Sequence, residues 1–272
     1  MTQLYELDYD RTPFWRWDHL GLTACQKANY GNARNWFYPF RSGLNGFHSR
    51  MSGAAHHYQM IYAWLPQARW PKEFEYHIST FFFHADSALE CLTFALNSLG
   101  YGIFGDGFLS VSDERSLRQI SPNLMLDGLG GRRAPASATG FNRVFSKTKA
   151  LWRSNISLIE LVFEQHDVSK HRHTIYDGGS MRTDAPAGFW DLVQVEESDR
   201  PRFFPMKEVI LGNDLRKPLE KRRHQEIEEW VYLEDIAAEF FDFISKTGHS
   251  ILEDSTINIP IKVPLAANAL DG

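Results

Sequence analysis

The densest run of reactive side chains is His166-Asp-Val-Ser-Lys-His-Arg-His173, which holds three of the chain's 11 histidines. Imidazole changes charge closest to neutral pH, so such a run suits proton transfer or metal binding. On a helix, Asp167 and His171 stand at i and i+4, within reach of a shared hydrogen bond or a shared metal ion. A carboxylate so placed holds the ring in one tautomer and makes it more basic. Lys170 and Arg172 would stabilise phosphate charge, and His171 would transfer protons with His173 at the rim. The candidate catalytic set is therefore Asp167, His171, Lys170, Arg172 and His173; it specifies no cofactor and no particular metal. His166 falls one step round the helix, nearer the apolar side.

Those residues need a helix beneath them, and the spacing supplies one. A long helix is predicted from Thr139 or Gly140 to about His173, with Trp152, Ile156, Ile159 and Phe163 on its apolar face. Arg153, Ser157, Glu160, Glu164, Asp167 and His171 form its polar stripe, and Gly178-Gly179 stops it. A second long helix opens at Pro71 and ends at Gly100, burying Ile78, Phe81, Ala85, Ala88 and Leu92. It carries a polar stripe of its own, Asp86, Glu90, Thr93 and Asn97. Two such stripes could line one cleft, although neither helix has the Glu-x-x-His repeat of a di-metal carboxylate bundle. His77 and His84, on the other side of this helix, read as packed histidines.

The remaining elements are weaker. Residues 1–50, punctuated by Pro13, Gly31, Pro39, Gly43 and Gly46, read as an irregular aromatic-rich arm that wraps a core or docks on a partner. A helix is predicted over 51–66, closed by Pro66, and a short one near 112–120 capped by Ser112. Gly128 to Gly140 and residues 177–206 read as loop. Val209-Ile210-Leu211 could be an isolated strand, followed by the basic pairs of Arg216 to Arg223. A last amphipathic helix covers about 226–252, with Leu233, Ala237, Phe240 and Ile244 inward, before a tail from Pro260. There is no βαβ alternation and no internal repeat. The expected fold is all-α: an irregular helical bundle with long loops and at most a minor strand element, divided as arm 1–50, bundle 51–259 and tail 260–272.

Composition narrows the setting. The 272 residues are 43% hydrophobic and 23% charged, enough for a full core and far from disorder. A net charge of −5 gives no global pull toward nucleic acid or an anionic membrane surface. Two cysteines, Cys25 and Cys91, fit a reducing compartment rather than a disulfide scaffold. The start of the chain lacks the basic-then-apolar pattern of a secretory signal. The longest uncharged stretch, Cys91 to Gly105, is too short to span a bilayer. Cytoplasmic location without membrane association is the expectation.

Two short patterns point to phosphoester chemistry. His166-Asp167 spells the dipeptide of the all-α HD-type metal phosphohydrolases, but the upstream histidine and downstream aspartate of that family do not follow. Arg50 with His56 or His57, and Arg41 with His48, match the Arg-x(4–6)-His ribonuclease signature of HEPN domains. No G-x-S-x-G elbow or phosphate-binding P-loop occurs.

The segments HADSALECLTFALNSLG (84–100), DVSKHRH (167–173), KEVIL…D (207–214) and LEDIAAEFFDFI (233–244) together resemble a group of bacterial all-helical proteins with a D-x-S-K-H-R segment. That group is in turn similar to HEPN-like helical bundles. The resemblance implies an all-α fold. The leading functional expectation is a self-associating module that binds a partner or small ligand. The alternative is a HEPN-like ribonuclease or metal-dependent phosphohydrolase working through residues 166–173; the partners expected are a second copy of the chain, a small ligand or RNA.

Overall fold

In the computed structural model, residues 7–27, 33–64, 71–126, 129, 135, 138–171, 202–203 and 231–259 are described. Their elements are α1 (Thr12–Lys27), α2 (Ala33–Trp64), α3 (Pro71–Phe104), α4 (Glu114–Leu117), α5 (Gly140–Val144), α6 (Ser146–Ser154), α7 (Ile156–His171), β1 (Arg202–Phe203), β2 (Val231–Tyr232) and α8 (Leu233–Asn258). A 3-10 turn, Pro122–Leu124, follows α4. The only sheet among the described residues pairs β1 with β2 antiparallel, Arg202 opposite Tyr232 and Phe203 opposite Val231. The fold is all-α with this one minor strand pair, as the periodicity predicts. No helix among the described residues is long and apolar enough to cross a membrane.

The chain forms two compact units. One comprises residues 1–8, 49–88 and 157–242; the other comprises 9–48, 89–156 and 243–272. In the first, Met51, Ala54, Tyr58 and Ile61 of α2 are fully or almost fully buried, as are Ile78, Phe81, Phe82 and Ala85 of α3. Leu158, Ile159 and Val162 of α7 and Leu233, Ala237 and Phe240 of α8 complete that core. In the second, Phe14 and Trp17 of α1 meet Phe47 and Phe40 of α2 at ring distances of 4.7 and 4.9 Å. Trp152 of α6 stands edge-on to Phe243 of α8.

Residues 12–27 and 33–50 depart most from expectation: they are helical where glycine and proline predict irregular chain. Pro39 sits inside α2, and α2 passes residue 50 without a break. Its glycines are a packing ridge rather than breakers. A Cβ on Gly43 would stand 2.9 Å from the Ala95 amide nitrogen and 3.0 Å from the Cys91 carbonyl oxygen; one on Gly46 would stand 3.0 Å from Cys91 Sγ. Small residues spaced by a helical turn let two helices approach backbone to backbone. The same holds at the end of α3, which runs past Gly100 to Phe104. Gly100 and Gly102 lie under the Phe108 and Trp36 rings. Among the described glycines, only Gly105 and Gly107, with φ of +66° and +85°, take the left-handed conformation, and there α3 stops.

The other boundaries shift for identifiable reasons. The helix predicted from 139 to 173 is three helices, interrupted at Phe145 and Asn155. The Asp254 carboxylate accepts hydrogen bonds from the Lys147 and Thr148 amides and so starts α6. Asn155 donates its side-chain amide back to the Leu151 carbonyl at 2.8 Å, which terminates it. Helix α4 is capped by Asp113, which accepts from the Ser116 amide at 2.8 Å, and not by Ser112. The last helix spans 233–258 rather than 226–252, with Leu233, Ala237, Phe240 and Ile244 inward as predicted. The expected strand at 209–211, the basic run 216–223, the Gly178-Gly179 stop and the tail from 260 lie outside the described residues.

Candidate functional site

The break at Asn155 resets the rotation of the following helix. On α7 the inward face is Leu158, Ile159, Val162 and Gln165. His166 extends it, at i+4 from Val162 and i+7 from Ile159. His166 therefore meets a carboxylate: its Nδ1 lies 2.6 Å from Oδ2 of Asp86 on α3. Both side chains are largely enclosed, 14% and 7% exposed. Asp167, on the next step of the helix, is half-buried. The side chains of Lys170 and His171, and all of Arg172 and His173, lie outside the described residues, so the predicted Asp167–His171 pair has no described geometry.

Around the Asp86–His166 pair stands a group that joins Arg50, His56 and His57, the Arg…His match of the sequence, to His77 and His84, which the sequence reads as packed histidines. The Phe83 ring meets His166 edge-on at 5.3 Å, and the Arg50 guanidinium of α2 lies 5.1 Å over Phe83. His84 follows Phe83 on α3 and stacks on His57 of α2 at 5.5 Å. His57 Nδ1 and His77 Nδ1 approach to 2.9 Å, one nitrogen donating to the other. His56 and Tyr76 close the group against the His57 ring. Four histidines, one arginine and a carboxylate–imidazole pair thus gather on three helices. The His84 ring reaches its place because residue 53 is glycine: a Cβ there would stand 2.7 Å from the imidazole.

Burial disfavours the charged form of two of these imidazoles. Burial lowers the His57 pKa to about 4, helped by the neighbouring His77, His84 and His56. Burial also lowers that of His84, with Arg50 and His56 adding to the effect. His84 Nδ1 is enclosed without a hydrogen-bond partner. Arg50 has no acidic partner among the described residues. A guanidinium without a counter-ion beside neutral imidazoles is an arrangement that an anion would complete. Among the described residues no group of three or more His, Cys, Asp or Glu side chains has the geometry to hold a metal ion.

The second Arg…His match shows the contrast. Arg41 is neutralised by Asp18 at 3.1 Å, and His48 is bonded to the Tyr9 hydroxyl. The predicted stripe on α3 also dissolves into structural roles. Thr93 and Asn97 are fully buried. Thr93 donates to the Leu89 carbonyl, and Asn97 exchanges two hydrogen bonds with the Leu109 backbone. Asp86 alone of that stripe joins the site. The signal for the rest was present: Arg50, His56 and His57 on one stretch, and His77 and His84 seven apart on another.

A lowered histidine pKa makes the fold sensitive to acid. The unfolded chain protonates His57 near 6.5, whereas the folded chain resists until about 4. Stability from this group is therefore complete above pH 6.5 and is lost as pH falls from about 6.5 to about 4. With solvent screening of a partly exposed ring, the loss is about 1–2 kcal/mol. The urea midpoint of wild type is expected to fall over that window, and less steeply in His57→Gln. Parallel curves for the two proteins would show that His57 carries no such linkage.

The structure defines an all-α protein with a histidine- and arginine-lined site supported by a buried carboxylate–imidazole pair. No family model matches the chain, and neither a curated protein nor a solved structure is significantly similar to it.

Proposed function

We propose that this protein binds a phosphate-bearing ligand, RNA foremost, at the Arg50–His166 cluster and cleaves its phosphoester linkage by imidazole acid–base chemistry. The observation that carries the reading is the enclosed Asp86–His166 pair beside an arginine without an acidic partner among the described residues. With Nδ1 held by Asp86, Nε2 is the basic nitrogen of His166. It takes the proton of an attacking hydroxyl, such as a ribose 2′-OH. The new O–P bond forms as the P–O bond to the leaving oxygen breaks, and that oxygen takes a proton from solvent. Asp86 stabilises the imidazolium on His166, and the Arg50 guanidinium balances the charge gathering on the phosphate oxygens.

The test is cleavage of a single-stranded oligoribonucleotide with and without EDTA. His166→Ala is expected to lose about 10²–10⁴-fold, the usual contribution of a positioned general base. Asp86→Asn is expected to lose at least about tenfold by misorienting the ring. Full activity in His166→Ala together with loss in His171→Ala would return the chemistry to the 167–173 segment and end this reading.

A further inference from the structure

The outer surface of α3 in this site carries two parallel rows. Tyr76 and Phe83 stand seven residues apart and are exposed, 59% and 37%. His77 and His84, one position on, repeat the spacing and turn further inward, toward His57. Seven residues are two helical turns, about 10.5 Å along the axis. Arg50 is held at the Phe83 end of the aromatic row, and the exposed His56 contributes to the Tyr76 end through His57. Large aromatic side chains left in water beside cationic and imidazole groups make a combination suited to one class of ligand. Rings accept nucleobases by stacking, and guanidinium and imidazole groups accept the phosphates between them.

We infer that this face of α3 is a single-strand polynucleotide track, on which Tyr76 and Phe83 stack bases while Arg50 and the exposed His56 contact the intervening phosphates. The inference rests on the phosphoester reading of the same site and specifies its substrate as unpaired strand. A stacked strand advances about 3.4 Å per nucleotide, so the two rings stand about three nucleotides apart. A duplex keeps its bases inside and offers nothing to either ring. The chain's net charge of −5 supplies no general attraction for nucleic acid. The rings must therefore provide much of the affinity, which makes the track separable from simple electrostatic binding.

Fluorescence anisotropy on the full chain tests it with three probes: a labelled single-stranded 2′-deoxy 12-mer, the same sequence as a duplex, and the same strand made abasic. The deoxy strand lacks the 2′-hydroxyl and so reports binding without cleavage. The expected result is that the intact strand binds, and that Tyr76→Ala and Phe83→Leu each weaken it by about tenfold, the scale of one lost stacking contact. The abasic strand and the duplex are expected to bind at least as weakly as the variants. Tyr76 is mostly in solvent, so its removal leaves the core intact, and circular dichroism confirms folding of both variants. Equal binding of the abasic strand, equal binding of the duplex, unchanged affinity in both variants, or no binding by wild type would each overturn the track. RNA cleavage by His166→Ala is read separately. Its retention ends the catalytic reading while aromatic-dependent strand binding upholds the track. Its loss alongside unchanged binding by both aromatic variants does the reverse.

Discussion

Gly43→Val is expected to destabilise the protein by about 3 kcal/mol, the upper range for forcing extra carbons into a filled interface. The reason is the nature of the neighbours. A Cβ at position 43 meets the Ala95 amide nitrogen at 2.9 Å and the Cys91 carbonyl oxygen at 3.0 Å, both backbone atoms of α3. A side chain can rotate away; a helix backbone can only be displaced, with every contact along it. Against this runs the gain from replacing glycine in a helix, about 1 kcal/mol or less. Gly43→Ala should therefore fall between wild type and Gly43→Val. Urea unfolding reads the series, and at about 2–4 °C per kcal/mol the melting temperature of Gly43→Val should drop by about 6–12 °C. If valine leaves the midpoint unchanged, α2 and α3 do not approach at this point as described.

The second large effect is expected at Asp254. This carboxylate on α8 is 1% exposed. It accepts from the Thr148 amide and hydroxyl, each at 2.8 Å, and from the Lys147 amide at 3.3 Å. It thus caps α6 from a segment more than a hundred residues away. Asp254→Ala removes a cap, about 1 kcal/mol, and leaves the buried Thr148 donors without acceptors, about 1–3 kcal/mol more. The total is about 3 kcal/mol. Asp254→Asn, which keeps one acceptor oxygen, should lose roughly half as much. A double-mutant cycle with Thr148→Val assigns the coupling: the two losses should be strongly non-additive. Simple additivity would mean that the destabilisation of Asp254→Ala comes from elsewhere.

Both sites show how far sequence reading reached. The inward residues of the regular helices were legible, because a 3.6-residue period of apolar side chains has one solution. Ile78, Phe81, Ala85, Ala88 and Leu92 are all fully buried. Glycine was the misleading residue. At Gly43, Gly46, Gly53, Gly100 and Gly102 it serves close packing inside helices, and composition alone does not separate that role from chain reversal. The run from 140 to 171 was misjudged for a related reason. Its apolar period looks continuous, but the cap supplied by Asp254 and the Asn155 side chain break it and rotate the last part.

That rotation decided the site. The sequence by itself determined an all-α chain, the inward faces of its long helices, and an unusual supply of histidine near Arg50 and again at 166–173. It did so because helix formation and amphipathic patterning are local properties. Which histidine meets which acid is not local. Asp86 and His166 are eighty residues apart, and their pairing at 2.6 Å depends on how α7 packs after the helix break at Asn155. His84, in turn, reaches His57 because Gly53 leaves room for the ring. Pairing of this kind follows from packing of side chains distant in the chain, so only the tertiary structure could settle it.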